Sequence, residues 1–175
     1  MGTMIPIQSG SFGKPIGIYT RYKVLEDATK ALKSGETVYA GRAVWQETGV
    51  SSNIVGAAPA AGDRVYGLSK ANKNAYLDEV SGGQGFYGSG KVTVVREGMV
   101  ELYQLVFTDA AGAETTVKTW DDTAITAADI GGPLYADDAD GTITNVADGG
   151  NNPKIGYLLD IDTTAGCIQV DLIRQ

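Results

Sequence analysis

The sequence predicts a mainly β protein: a compact Gly-rich β-barrel or sandwich, an extended N-terminal arm, and room for one short helix. Three observations predict this. The chain has 24 glycines in 175 residues, about double the usual share. Nine short runs rich in Val, Ile, Thr and Tyr alternate with turn residues. At 43% hydrophobic residues, the chain can bury a core, which argues against wholesale disorder.

The elements follow in order. Residues 1–20 carry Pro6, Gly10, Gly13, Pro15 and Gly17, with Ile5, Ile7, Phe12, Ile16 and Ile18 between them. Such spacing suits an extended arm or irregular edge strand, because Pro and Gly break helices and weaken central strands. Over 21–34, Val24, Leu25, Ala28, Ala31 and Leu32 fit helical spacing, with Gly35 as a stop. The window is short, and a β-hairpin or loop fits it as well. From Gly35 onward the strand runs are 37–40, 43–45, 64–68, 92–96, 100–107, 115–118, 141–146, 155–161 and 168–173. Turns are expected at 49–53, 62–63, 82–83, 97–98, 109–112, 140–141, 148–153 and 164–166. The expected organisation is an arm with a possible helix at 1–34 and a β body at 35–175. A Gly-x-x-(Val/Leu)-Tyr pattern recurs at 35–39, 62–66 and, one residue shorter, at 132–135. The unequal spacing excludes a solenoid and reads as a recurring turn into a strand.

Composition narrows the chemistry. There is no histidine, which removes the commonest general base and metal ligand and every Ser-His or Cys-His relay. The single cysteine, Cys167, cannot form an internal disulfide or a thiolate zinc site. It sits in an apolar strand and is expected to be a buried thiol. Net charge is −7, which argues against binding phosphate backbones. No run approaches about 18 consecutive apolar residues, and the first ten residues lack the pattern of a secretory signal. Met1-Gly2 suggests myristoylation, but Pro6 stands where Ser or Thr is wanted. The chain is expected to be made in a cytosol without membrane insertion.

Two phosphate motifs are decoys. Gly83-x-Gly85-x-x-Gly88 matches a dinucleotide string, and Gly85-x-x-x-x-Gly90-Lys91 matches most of a P-loop. Both need a helix N-terminus after the loop. Here Lys91 is followed by the β-branched run Val92-Thr93-Val94-Val95, and Val92 replaces the magnesium-binding hydroxyl. Asp137-Asp138-Ala139-Asp140-Gly141 suggests a calcium loop, yet with Gly141 as position 6 both end ligands become alanines, Ala136 and Ala147. Asp140-Gly141 between apolar runs reads instead as a hairpin turn. Asp121-Asp122 and Asp160-x-Asp162 read as solvated charges. Trp45 and Trp120 are far apart in sequence and point to core or interface packing. No catalytic, cofactor or metal residue is expected, and the chain reads as a non-enzyme.

Several stretches together resemble the capsid structural cement (decoration) proteins of tailed bacteriophages. They are Gly41-Arg42-Ala43-Val44, Gly67-Leu68-Ser69-Lys70, Tyr87 to Gly98, Ala128 to Asp137, Asp140 to Asn145, Ile155 to Leu158, and Gly166 to Leu172. The resemblance covers most of 35–175 and is weaker over 1–34. It rests on Gly-turn-strand texture. Pro133 and the long Asp148 to Pro153 loop depart from the family's usual spacing.

The resemblance implies a virion structural protein on the capsid exterior, made in a bacterial cytoplasm and stabilising the shell. It also implies the major capsid protein as partner, a homotrimer, and neither nucleic acid nor membrane. Capsid or subunit contacts are expected at Ile5, Ile7, Phe12, Ile16, Trp45 and Trp120. The alternative is a ligand-binding β module for carbohydrate or a receptor. A carboxylate glycosidase, which needs two acids flanking a cleft, has little support from turn-located aspartates.

Overall fold

The computed structural model describes residues 17–49, 54–57, 63–70, 73–74, 91–108 and 114–174. The fold is mainly β. The described strands are β1 (Ile18–Leu32), β2 (Thr37–Val38), β3 (Ala43–Gln46), β4 (Ile54–Gly56), β5 (Arg64–Ser69), β6 (Lys73–Asn74) and β7 (Lys91–Tyr103). They continue with β8 (Leu105–Thr108), β9 (Glu114–Val117), β10 (Pro133–Ala136), β11 (Ile143–Thr144), β12 (Lys154–Asp162) and β13 (Cys167–Leu172). Two single-turn 3-10 helices, Ala127–Asp129 and Asp148–Gly150, lie in the connections.

The order β1-β4-β3-β5-β7 closes into a five-stranded barrel through β1–β7 pairing. From β7 the sheet continues as β13-β12-β10-β11. β7 makes both possible because it forks. One edge pairs with β1 from Lys91 to Leu102. The other pairs with β5 at Val94 and Val95, then with β13 from Gly98 to Tyr103. Gly98 is the hinge: its φ is +112°, and a Cβ there would lie 2.7 Å from the Lys23 carbonyl oxygen. The turn expected at 97–98 is therefore a kink inside one strand, because both flanking segments stay paired with β1.

The helix expected over 21–34 is corrected: these residues belong mostly to β1. Leu25 and Ala28, needed on the buried side of a helix, are exposed, while Leu32 is buried. Register shifts at 21–25, 25–26 and 27–30 insert extra residues into β1. Bulges of this kind break the two-residue alternation and leave a spacing that imitates a helix. Strands β4, β6 and β10 were not among the nine runs read from the sequence.

Alternate residues split between two cores. Val44, Val55, Val92, Val94, Leu32 and Val38 form the smaller cluster, with Tyr66 packed against it. Every barrel strand contributes, so this cluster fills the barrel. Ala43, Trp45, Val65, Leu68 and Val95 join Leu134, Ile143, Ile155, Leu158, Ile168 and Val170 in the larger cluster between barrel and open sheet. Cys167 is buried, as expected. Beside it, Tyr103 donates to buried Glu101 at 3.0 Å, and burial pushes the Tyr103 phenol far up. The Asp140-Gly141 hairpin joins β10 to β11 by a loop in which Gly141 N–H bonds the Asp137 carbonyl at 2.9 Å. Only Gly141 has positive φ there, so the turn is longer than a two-residue type I′ turn.

Candidate functional site

The sequence-derived contact residues separate. Ile5, Ile7, Phe12 and Ile16 lie outside the described residues. Trp45 is 2% exposed and Trp120 5% exposed, both within the larger core. Both are core residues, with almost no ring surface exposed. Neither indole N–H finds an acceptor among the described residues. The Gly-rich phosphate decoy lies outside the described residues up to Gly90, and Lys91 opens β7.

Two surface features remain. The first is a cleft of about 710 Å³ lined by Tyr39, Arg42, Thr116, Lys118, Asp121 and Asp140 among others. Arg42 builds it. Its Nε donates to the Lys118 carbonyl at 2.9 Å, and Nη1 donates to the Asp140 carbonyl at 3.3 Å. Its Nη2 lies 3.2 Å from Asp140 Oδ2. The guanidinium also lies 5.5 Å from the centre of the Tyr39 ring. A planar fork with five donors suits one residue to hold two loops in this way. Asp121 Oδ1 accepts from Thr123 N–H, the Thr123 hydroxyl and Ala124 N–H. The Thr123 hydroxyl bond leads in holding its pKa below the usual carboxylate value. An acid so stabilised in its charged form is poorly suited to proton donation. The cleft can bind polar groups through hydroxyls and carboxylates.

The second feature is the outward face of β10, β12 and β13. In β12, Ile155 and Leu158 point into the core, and Tyr157 points out. Residue 159 is the extra residue of a bulge between the Leu158–Val170 and Asp160–Gln169 pairs. Tyr157 is 38% and Leu159 37% exposed. Pro133 pairs with Tyr157 and is exposed. Pro is tolerated as the first residue of β10, where a missing N–H does little harm. Ile130, 47% exposed, precedes Gly131, whose N–H bonds the Leu158 carbonyl at 2.8 Å. Lys154 Nζ lies 3.8 Å from the Tyr157 ring centre. Asp160, Asp162 and Asp171 are exposed on the same face and form no ion pair among the described residues. Sequence reading found the strand but not this surface. The available signal was Tyr157-Leu158-Leu159, three apolar-bodied residues in a row where alternation wants a polar one.

No family model and no curated protein matches this chain. A chain of the capsid of Myoviridae phage XM1 is similar in structure, with a TM-score of 0.55 and 14% identity. The match covers 95% of this chain and 97% of that one. The likeness shows a shared fold with a phage capsid component. It runs end to end, so the two chains are close to equal in length.

Proposed function

We propose that this chain is a virion structural protein that binds the outside of an assembled phage capsid and stabilises it, a cement or decoration protein. The observation that carries this is the end-to-end likeness to a chain of nearly equal length in a phage capsid. A match of that extent concerns nearly the whole chain and not a fragment of it. The composition agrees: a net charge of −7 keeps many copies apart in solution before they meet the shell. The partner is the major capsid protein, and the copies assemble as a homotrimer, since a closed ring leaves no unpaired interface at a threefold axis. Residues Ile5, Ile7, Phe12 and Ile16 add an apolar arm contact to the coat protein or a neighbouring copy.

The test is cosedimentation with shells assembled from the major capsid protein of the same phage without this chain. Saturable binding, with shells that survive heating better when decorated, supports the reading. Absence of binding rejects it. Deleting residues 1–16 is expected to weaken binding strongly and leave unfolding nearly unchanged. A second reading is favoured by the Arg42 cleft: a β module for a polar ligand such as carbohydrate. Retention of a glycan on an array, lost in Arg42→Ala, would favour it.

A further inference from the structure

We infer that the outward face of β10, β12 and β13 is the surface that docks on the coat protein, and that its occupant carries basic residues around an apolar centre. The inference rests on the capsid-binding reading above and names the face that reading leaves open.

Three observations meet on this face. The first is apolar exposure: Tyr157, Leu159 and Ile130 are three of the five large hydrophobic residues exposed among the described residues. Hydrogen bonding between 131–132 and Leu158 and pairing of Pro133 with Tyr157 bring them to the middle of β12. Single exposed apolar residues are ordinary, but a cluster marks an interaction site. The second is rigidity. The strand beneath is paired on both sides at Gly156 and Tyr157, with β10 and with β13, and its inward residues Ile155 and Leu158 are buried. A preformed face loses little freedom on binding. The third is charge. Asp160, Asp162 and Asp171 border the apolar centre and form no ion pair among the described residues, while Lys154 sits on the Tyr157 ring. A second copy of the same face would bring three more carboxylates against these, which disfavours an isologous contact. A basic rim on the partner answers them and accelerates encounter.

The experiment measures binding to the undecorated shells for four proteins: wild type, Tyr157→Asp with Leu159→Asp, Asp160→Lys with Asp171→Lys, and a control pair Leu25→Asp with Val146→Asp. The control positions are 41% and 51% exposed and lie in β1 and after β11, not in β10, β12 or β13. All substitutions are at exposed positions, and matching thermal unfolding checks that each variant folds. The Tyr157/Leu159 pair is expected to weaken binding about 30-fold or more, as loss of a central anchor does. The charge reversal is expected to slow association about tenfold at low salt and flatten its salt dependence. The control pair is expected to bind within about threefold of wild type. Wild-type binding with no loss in the Tyr157/Leu159 pair overturns this face and leaves the capsid reading standing. Wild-type failure to bind overturns that reading itself. A Tyr157/Leu159 variant that falls from oligomer to monomer in solution assigns the face to self-association and overturns the inference.

Discussion

Asp27 of β1 carries a testable share of the barrel's stability. Its Oδ1 accepts from Thr29 N–H at 2.8 Å and from the Thr29 hydroxyl at 2.6 Å. Its Oδ2 accepts the Tyr66 hydroxyl and lies 3.8 Å from Lys30 Nζ. The Tyr66 ring lies 4.6 Å from that ammonium and 4.3 Å from the Arg96 guanidinium. The Thr29 hydroxyl, followed by Tyr66, leads in holding the Asp27 pKa at about 2, down from 3.8. Each unit of that difference is worth 1.36 kcal/mol, so ionisation contributes about 2 kcal/mol to folding. The side chain is 21% exposed, so solvent screening trims the full conversion down to about 2 kcal/mol. The sign follows from the depressed folded-state value. The contribution is full well above the unfolded pKa of 3.8 and is lost as pH falls toward 2. Asp27→Asn removes the titration. Urea unfolding of both proteins at pH 6 should show the variant less stable by about 2 kcal/mol, with the gap shrinking below about 0.5 kcal/mol at pH 2. Asp121 and Asp129 also have lowered values, but they titrate in both proteins and cancel in the difference. A gap that stays constant across this range would refute the reasoning, because it would assign the loss to packing and not to charge.

Other expected outcomes follow from the same geometry. Gly67→Ala should cost about 3 kcal/mol or more, because φ is +154° and the new Cβ would fall 2.3 Å from the Val95 carbonyl oxygen. Gly131→Ala, at φ +85° with nothing within 4 Å, should cost only about 1 kcal/mol; equal losses in urea unfolding would refute this contrast. Arg42→Lys should lower stability by about 1–3 kcal/mol and speed amide exchange in 137–142, since one ammonium cannot hold the Lys118 and Asp140 carbonyls and the Asp140 carboxylate together. Calorimetric titration with ATP, NAD and calcium should show no saturable site tighter than about millimolar; micromolar binding at one site per chain would refute it.

The fold class was legible because strand texture is local. Val, Ile and Thr between Gly and Asp turns mark strands wherever the partners come from, and 64–68, 92–96 and 168–173 fall on β5, β7 and β13. Barrel closure was not legible, since it depends on β1 pairing with β7 across some seventy residues of sequence. The same remoteness hid β1 itself. Its bulges make sense only against β7, and without that partner Val24 and Leu32 read as a helix face. The cleft was hidden for a related reason: Arg42 meets Lys118 and Asp140 only in space. The proposed docking face was half legible, because Tyr157-Leu158-Leu159 breaks alternation, but a bulge was needed to tell which of the three face outward. Trp45 and Trp120 were ambiguous for another reason: large aromatics suit cores and interfaces alike, and their burial depends on barrel and open sheet packing together.

The fork in β7 explains how one small chain can be rigid and still leave a sheet face exposed. A closed barrel removes its edges and buries its inner face, which leaves an outer face to be covered or wetted. Here β13, β12, β10 and β11 leave the barrel at Gly98, and their inner face covers Ala43, Trp45, Leu68 and Val95 of the barrel wall. Around Tyr157 and Leu159 this sheet has only one face committed to the core. Its other face is free to be selected for contact, provided the strands beneath keep their pairing. Tyr157 and Leu159 can therefore be replaced without opening the core, whereas Leu158 between them, fully buried, cannot. Leu158→Ala should cost about 2–5 kcal/mol of stability and should weaken shell binding only through loss of folded protein. Tyr157→Asp with Leu159→Asp should do the reverse. Unfolding and shell binding measured on both variants separate the two roles of one strand, and parallel losses in both assays would show that face and core are not independent.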